Sequence, residues 1–123
     1  MPIAVGIDLV EVVEVEEALH RHGERYLRRI YAEHERRDSE GDPRRLAAMF
    51  AAKEATMKAL RRSDEPLPWR AISVRMGAAG QPALELSGAA AQLAHDRGLR
   101  GLSVSLSRSG GNAAAVVLAE CAR

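Results

Sequence analysis

The chain is expected to fold as an α+β domain, and three features of the sequence say so. The first is residues 44–62, RRLAAMFAAKEATMKALRR, a run of good helix formers that no Gly or Pro interrupts. The second is a set of alternating apolar segments, at Ile3, Val5, Ile7 and Leu9 and again at Ile72, Val74 and Met76, with the period of two that marks strands. The third is their distribution. The first half reads mainly as helix and the second mainly as strand and turn, a segregation expected of a small antiparallel sheet with helices packed on one face. All 123 residues fit one domain, since a chain of this length buries about two-thirds of its unfolded surface around one core.

Residues 2–10 open the fold as a strand, with Asp8 near its end on the face opposite Ile3, Val5, Ile7 and Leu9. Aspartate is depleted inside strands, so Asp8 is either the N-cap of the next helix or a ligand. Residues 11–22 are helical with Val12, Val15 and Leu19 on one side, and Gly23 breaks them off. A second helical piece, 24–36, makes its apolar contacts through Leu27, Ile30 and Tyr31. Residues 39–43, SEGDP, lead into the long helix, with Asp42 as N-cap and Pro43 at the first position. The buried stripe of that helix is Leu46, Met49, Phe50, Met57 and Leu60, and Pro66 and Pro68 mark its end. Strands at 72–76 and 82–86 then make a hairpin around the turn 77–81. Ser87 caps a helix through Arg97, closed by Gly98. Residues 102–106 and 113–119 are two further strands, joined by the polar loop 107–112.

Composition excludes several classes of function. Only 3% of residues are aromatic, so the core is built mainly from Ala, Val and Leu, and stacking on nucleic-acid bases is not expected. The formal net charge of +1 also argues against a nucleic-acid partner, although the charge is unevenly spread. Glu11, Glu14, Glu16 and Glu17 cluster first, and Arg21, Arg25, Arg28, Arg29, Arg36, Arg37, Arg44 and Arg45 follow. The lone Cys121 has no partner for an internal disulfide, which fits a reducing compartment. No segment approaches the ~20 apolar residues of a membrane span, and the apolar start is short, lacks a basic lead and contains Asp8. A cytoplasmic protein without a membrane partner is expected.

Zinc chemistry is poorly supported, because His20 and His22 are two apart and His34 and His95 are isolated. Ser105, Ser107 and Cys121 lack the context of a nucleophile. More suggestive is the long helix, where Phe50, Glu54 and Lys58 fall in one row and Lys53 lies on or beside the apolar face. A Glu with Lys four residues on is also an ordinary surface pair worth about 0.3–0.5 kcal/mol, and Lys53 has a stem long enough to snorkel. Asp8 and Glu54, however, are two carboxylates from different elements with lysines beside one of them. Such hard oxygens suit Mg²⁺, which takes one or two carboxylates and completes its shell with water and phosphate. A nearby lysine neutralises phosphate oxygens or manages a proton.

Val5-Gly6-Ile7-Asp8, followed some forty residues later by Phe50-Ala51-Ala52-Lys53-Glu54-Ala55-Thr56-Met57-Lys58-Ala59, resembles the paired signature of the 4'-phosphopantetheinyl transferases, most closely their small holo-acyl-carrier-protein synthase group. The resemblance extends through the stretch from Trp69 to Val74, the turn Gly80-Gln81-Pro82 and the ending Val104-Ser105-Leu106-Ser107, so that it covers nearly the whole chain. It implies a small α+β chain that forms a homotrimer with active sites between subunits. It also implies transfer of phosphopantetheine from coenzyme A to a serine of an apo acyl carrier protein, with release of 3',5'-ADP, in fatty-acid or polyketide synthesis. By matching positions, Asp8 and Glu54 would hold Mg²⁺ on the pyrophosphate. Lys58 would contact phosphate and assist proton transfer. Gly80, Pro82, Ser107 and Arg108 would bind the cofactor. Arg25, Arg28 and Arg29 would dock on the acidic helix of the carrier protein, unless they are simply a solvated basic face.

Four positions depart from the family pattern. Glu14 stands where a basic residue is common, Met49 where an arginine precedes the Phe, Arg108 where a histidine follows the S-x-S strand, and Ser109 where an acidic residue is frequent. Arginine binds phosphate but is no base near neutral pH. The rival reading is therefore a diverged, non-catalytic member that binds coenzyme A or a carrier protein as a regulator. The role of Lys53 stays open between pairing with a carboxylate, binding phosphate and supporting the helix.

Overall fold

The long helix and the first strand set the architecture. In a computed structural model, which describes residues 2–60 and 67–122, the chain runs β1 (Ile3–Glu11), α1 (Val12–His22), α2 (Glu24–Ile30), α3 (Glu33–Ser39) and α4 (Pro43–Ala59). A 3₁₀ turn (Trp69–Ala71) follows, then β2 (Ile72–Met76), β3 (Pro82–Leu86), α5 (Gly88–Asp96), β4 (Leu99–Ser109) and β5 (Asn112–Cys121). β5 is the centre of a three-stranded antiparallel sheet in the order β1-β5-β4, and β2 pairs with β3 in a separate hairpin. This is the α+β arrangement that the sequence predicts.

Asp42 caps α4 by accepting the Arg44 N–H at 2.9 Å, and Pro43 occupies the first turn, both as expected. The helix is buried on more sides than one stripe predicts. Leu46, Met49 and Leu60 are buried, but so are Ala47, Ala48, Ala51, Ala52, Ala55 and Ala59, while Phe50 and Met57 are half-buried. These small side chains let the helix lie close against β1 and β5. The closest approach is at Gly6, where an added Cβ would stand 1.9 Å from the Ala55 carbonyl oxygen. The same sheet face presents the buried Ala113, Ala115, Val117 and Ala119 of β5. The expected end of the helix at Arg61 and Arg62 and the breaking Pro66 lie outside the described residues.

Several boundaries differ from expectation. The single helical piece over 24–36 is two helices, because Tyr31 takes an extended conformation (φ −112°, ψ 139°) and sends its hydroxyl to the Leu46 carbonyl at 3.0 Å. α3 then starts afresh, with Glu35 accepting the Ala32 N–H at 2.9 Å. The polar loop 107–112 is mostly strand: β4 continues through Ser107 and Arg108 to Ser109, and the chain turns on Gly110 (φ 58°) and Gly111 alone. Asp8 is not a cap, since β1 continues to Glu11 and that residue holds the N-cap position of α1. Ile3, Val5, Ile7 and Leu9 point away from α4 and are 57–66% exposed. The strand's buried face is instead Ala4, Gly6 and Val10, with Gly6 directly beneath α4.

Candidate active site

The Gly6 contact seats β1 against the C-terminal half of α4. Asp8 lies two residues further along the same face, and it thereby meets Glu54 and Lys58. Lys58 Nζ donates to Asp8 Oδ1 at 2.8 Å and to the Ile7 carbonyl at 3.0 Å. The Asp8 side chain is only 12% exposed, whereas that of Lys58 is 56% exposed. Asp8, through its hydrogen bond and charge, holds the Lys58 ammonium above its usual range. The Glu54 carboxyl is also pushed up, first by burial and then by the charge and hydrogen bond of Asp8; Lys58 pulls it back, and Glu14 adds a smaller upward push.

Two carboxylates crowded together so that one resists ionisation form a donor set that a hard divalent cation relieves. The residues therefore fit Mg²⁺. Among the described residues no group of three or more His, Cys, Asp or Glu could hold a metal, so a cation at Asp8 and Glu54 would draw its other ligands from water or phosphate.

Gly80, Pro82, Ser107 and Arg108 come together elsewhere. They line a cavity of about 660 Å³ with Arg45, Met49 and Met76, and none of Asp8, Glu54 and Lys58 lines it. The hairpin turn that carries Gly80 is closed by Gly77 N–H donating to the Gln81 carbonyl at 2.7 Å, and Gly80 itself has φ 83°. The two groups lie toward opposite ends of α4. Ala48 and Met49 in its first half line the cavity, while Ala55 in its second half packs on β1 beside the acidic pair.

Lys53 belongs to neither group. It is fully buried and donates to Glu35 Oε1 at 2.7 Å, to the Trp69 carbonyl at 3.2 Å and to the Ile72 carbonyl. All three ammonium protons are thus engaged, and burial holds the group below its usual range against the pull of Glu35. Glu35, also fully buried, accepts the Val74 N–H at 2.9 Å as well, so this ion pair ties α3, α4 and β2 together. Of the three roles open to Lys53, pairing with a carboxylate is the one the structure shows. Sequence reasoning missed Glu35, because nothing in its neighbourhood marks it as buried. It also passed over Gly6, although a lone Gly inside a strand is a recognised sign of close backbone approach.

An acidic pair with a lysine and a separate cavity do not identify a family by themselves. A family model described as the 4'-phosphopantetheinyl transferase superfamily matches residues 4–116. The chain belongs to that superfamily. Among its relatives, the holo-[acyl-carrier-protein] synthase of Herpetosiphon aurantiacus is 40% identical, covering 94% of this chain and 97% of that protein. The enzyme of the same name from Chloroflexus aggregans is 43% identical over 93% of this chain and 92% of its own. The fold agrees as well. The Chronobacterium ammoniagenes ACPS–CoA complex superposes with a TM-score of 0.87 at 30% identity over 100% of both chains. The Helicobacter pylori holo-[acyl-carrier-protein] synthase in complex with coenzyme A gives 0.85 at 27% identity, covering 94% of this chain and 99% of that one. The holo-acyl-carrier-protein synthase group read from the sequence is thus the right one, and the chain is a phosphopantetheinyl transferase. Among the described residues no helix is long and apolar enough to cross a membrane.

Proposed function

We propose that this transferase, a single domain over residues 1–123, moves the 4'-phosphopantetheine group of coenzyme A to a serine of an apo acyl carrier protein in fatty-acid or polyketide synthesis. The observation that carries the reading is the convergence of Asp8, Glu54 and Lys58 from β1 and α4. The carrier serine Oγ bonds to the phosphorus that bears pantetheine and gives up its hydroxyl proton to solvent, the bond from that phosphorus to the bridging oxygen breaks, and 3',5'-ADP leaves. Mg²⁺ held by Asp8 and Glu54 would supply charge neutralisation at the pyrophosphate. Lys58, kept protonated by Asp8, offers a donor to the phosphate oxygens and a proton for the leaving side. The chain needs no nucleophile of its own, because positioning and electrostatics carry phosphoryl-type transfer. Cofactor contacts fall to Lys58, Gly80, Pro82, Ser107 and Arg108.

The working unit is a homotrimer with active sites between subunits. Two features support this. Ile3, Val5, Ile7, Leu9 and Leu118 form an apolar sheet face 46–66% exposed, of the kind that marks an association surface. None of Asp8, Glu54 and Lys58 lines the cavity of Gly80, Pro82, Ser107 and Arg108 either, so a neighbouring copy is the natural source of the missing half. The carrier's acidic helix docks on Arg25, Arg28 and Arg29, which are exposed and make no ion pair among the described residues. The lone Cys121 is in keeping with a cytoplasmic setting.

Intact-mass analysis tests the reading: apo carrier proteins are incubated with the chain, coenzyme A and Mg²⁺. A phosphopantetheine adduct that disappears in Asp8→Ala and in Glu54→Ala is expected. Coenzyme A binding with no adduct across a broad carrier panel would refute transfer and favour a non-catalytic binding role.

A further inference from the structure

Lys53 and Glu35 lie in the core, and every element they touch goes on to form a wall of the cavity. β2 pairs with β3 along one edge only. On its other edge the Ile72 carbonyl accepts from Lys53, and the Val74 N–H donates to Glu35 Oε2 at 2.9 Å. The two charged side chains thus stand where a third strand would, each meeting a backbone group of the polarity it needs. Lys53 also donates to the Trp69 carbonyl at 3.2 Å, at the foot of the hairpin, and to Glu35 Oε1 at 2.7 Å.

From each anchor a short step leads to the cavity. Met76 is two residues beyond Val74 on the same face of β2, Asp38 is three beyond Glu35 on α3, and Met49 is four before Lys53 on α4. All three line the cavity, as do Gly80 and Pro82 of the hairpin that Met76 leads into. Apolar burial also holds the hairpin, since Ile72 and Val74 are fully buried. That force is non-directional and tolerates a strand sliding along the helices. Hydrogen bonds between fully buried groups do not tolerate it, because a shift breaks them where no water can replace them.

We propose that Lys53 and Glu35 are positioning residues for the cofactor: by fixing β2 against α3 and α4 they set the distance between the hairpin turn and α4 that coenzyme A requires. The inference rests on the transferase reading, which assigns Gly80 and Pro82 to cofactor contacts. Neither charged side chain lines the cavity, so both act through Met76 and the turn.

The test is calorimetric titration of the full chain with coenzyme A, with Mg²⁺ and without carrier protein, at a temperature where circular dichroism shows each variant folded. Lys53→Met alone strands a carboxylate and can unfold the chain, so one deciding variant is the double change Lys53→Met with Glu35→Gln, which leaves no unpaired charge in the core. It should melt above Lys53→Met and still bind coenzyme A about 3–10-fold more weakly than the parent, because the ligand must now order the turn. Glu35→Asp, which keeps both charges but shortens the reach by one methylene, should weaken binding in the same direction. Leu19→Ala trims the core from α1, outside the cavity and away from the pair's hydrogen bonds. It should lower Tm and leave the affinity unchanged. Parent affinity in either folded Glu35 variant overturns the proposal, as does an equal weakening in Leu19→Ala, which would show a general loss of stability. Because no carrier is present, failure here is distinct from failure of transfer. An adduct formed by the parent, with unchanged binding in the variants, sinks this inference alone; weakened variants with no adduct on any carrier support it and sink transfer alone. A parent that binds no coenzyme A overturns both.

Discussion

Gly6→Ala tests the link between packing and chemistry most directly. The new methyl would start 1.9 Å from the Ala55 carbonyl oxygen and 2.8 Å from the Ala59 nitrogen, both of them backbone atoms of α4 that no rotamer change can clear. Ordinary contact begins at 3.4 Å, so strand and helix must part by about 1.5 Å. Overpacking of this kind costs about 1–3 kcal/mol. For a domain of this size that is a fall of roughly 4–12 °C in Tm, measured by scanning calorimetry at fixed protein concentration because the proposed assembly would make Tm concentration-dependent. The effect on rate should be larger. The same separation moves Asp8 away from Glu54 and Lys58, and a displacement of about 1 Å at a reacting site costs roughly 100-fold. The assay is kcat/KM for adduct formation on an apo carrier protein, with far-ultraviolet circular dichroism to confirm that the fold persists. A Gly6→Ala chain that transfers within about twofold of the parent and melts within about 2 °C of it would refute the reasoning.

Other perturbations separate the remaining parts. In metal-free protein the Glu54 carboxyl titrates above its ordinary 4.5, so its favourable contribution is present below that value and is lost as pH rises through the raised one. Glu54→Gln should therefore raise the metal-free Tm at neutral pH, reduce the stabilisation by added Mg²⁺, and cut transfer at least ~100-fold; a lower metal-free Tm would contradict the crowded-carboxylate picture. Lys53→Met strands the Glu35 carboxylate in the core and should cost about 3–5 kcal/mol in urea unfolding. A loss below about 1 kcal/mol would mean that the pair is not the clamp described. Ile7→Asp places a charge on the exposed apolar sheet face. It should leave the monomer folded, lower the mass measured by analytical ultracentrifugation, and reduce transfer; an unchanged trimer mass would move the interface elsewhere.

Much of the candidate site was legible in the sequence because its marks are local. Good helix formers, the cap at Asp42 with Pro43, and the alternation around Asp8 depend only on near neighbours, and each appears where expected. The row of Glu54 and Lys58 follows from helical periodicity alone. Where local propensity met a distant constraint, it gave way. The helix expected over 24–36 breaks because the Tyr31 hydroxyl is drawn to Leu46, fifteen residues on. The loop expected over 107–112 becomes strand because β5 offers a pairing partner as far as Ser109.

By itself, then, the sequence determined the fold class, the long helix and the family, and it named the three residues proposed for the chemistry. The tertiary structure decided the rest. Lys53 is spent on a buried pair with Glu35, the apolar side of β1 faces outward, and the cavity is lined by Arg45 and Arg108 rather than by the acidic pair. A side chain's burial and partners depend on which backbones approach each other. Here that approach is set by one hydrogen atom at Gly6, where any larger group would meet Ala55.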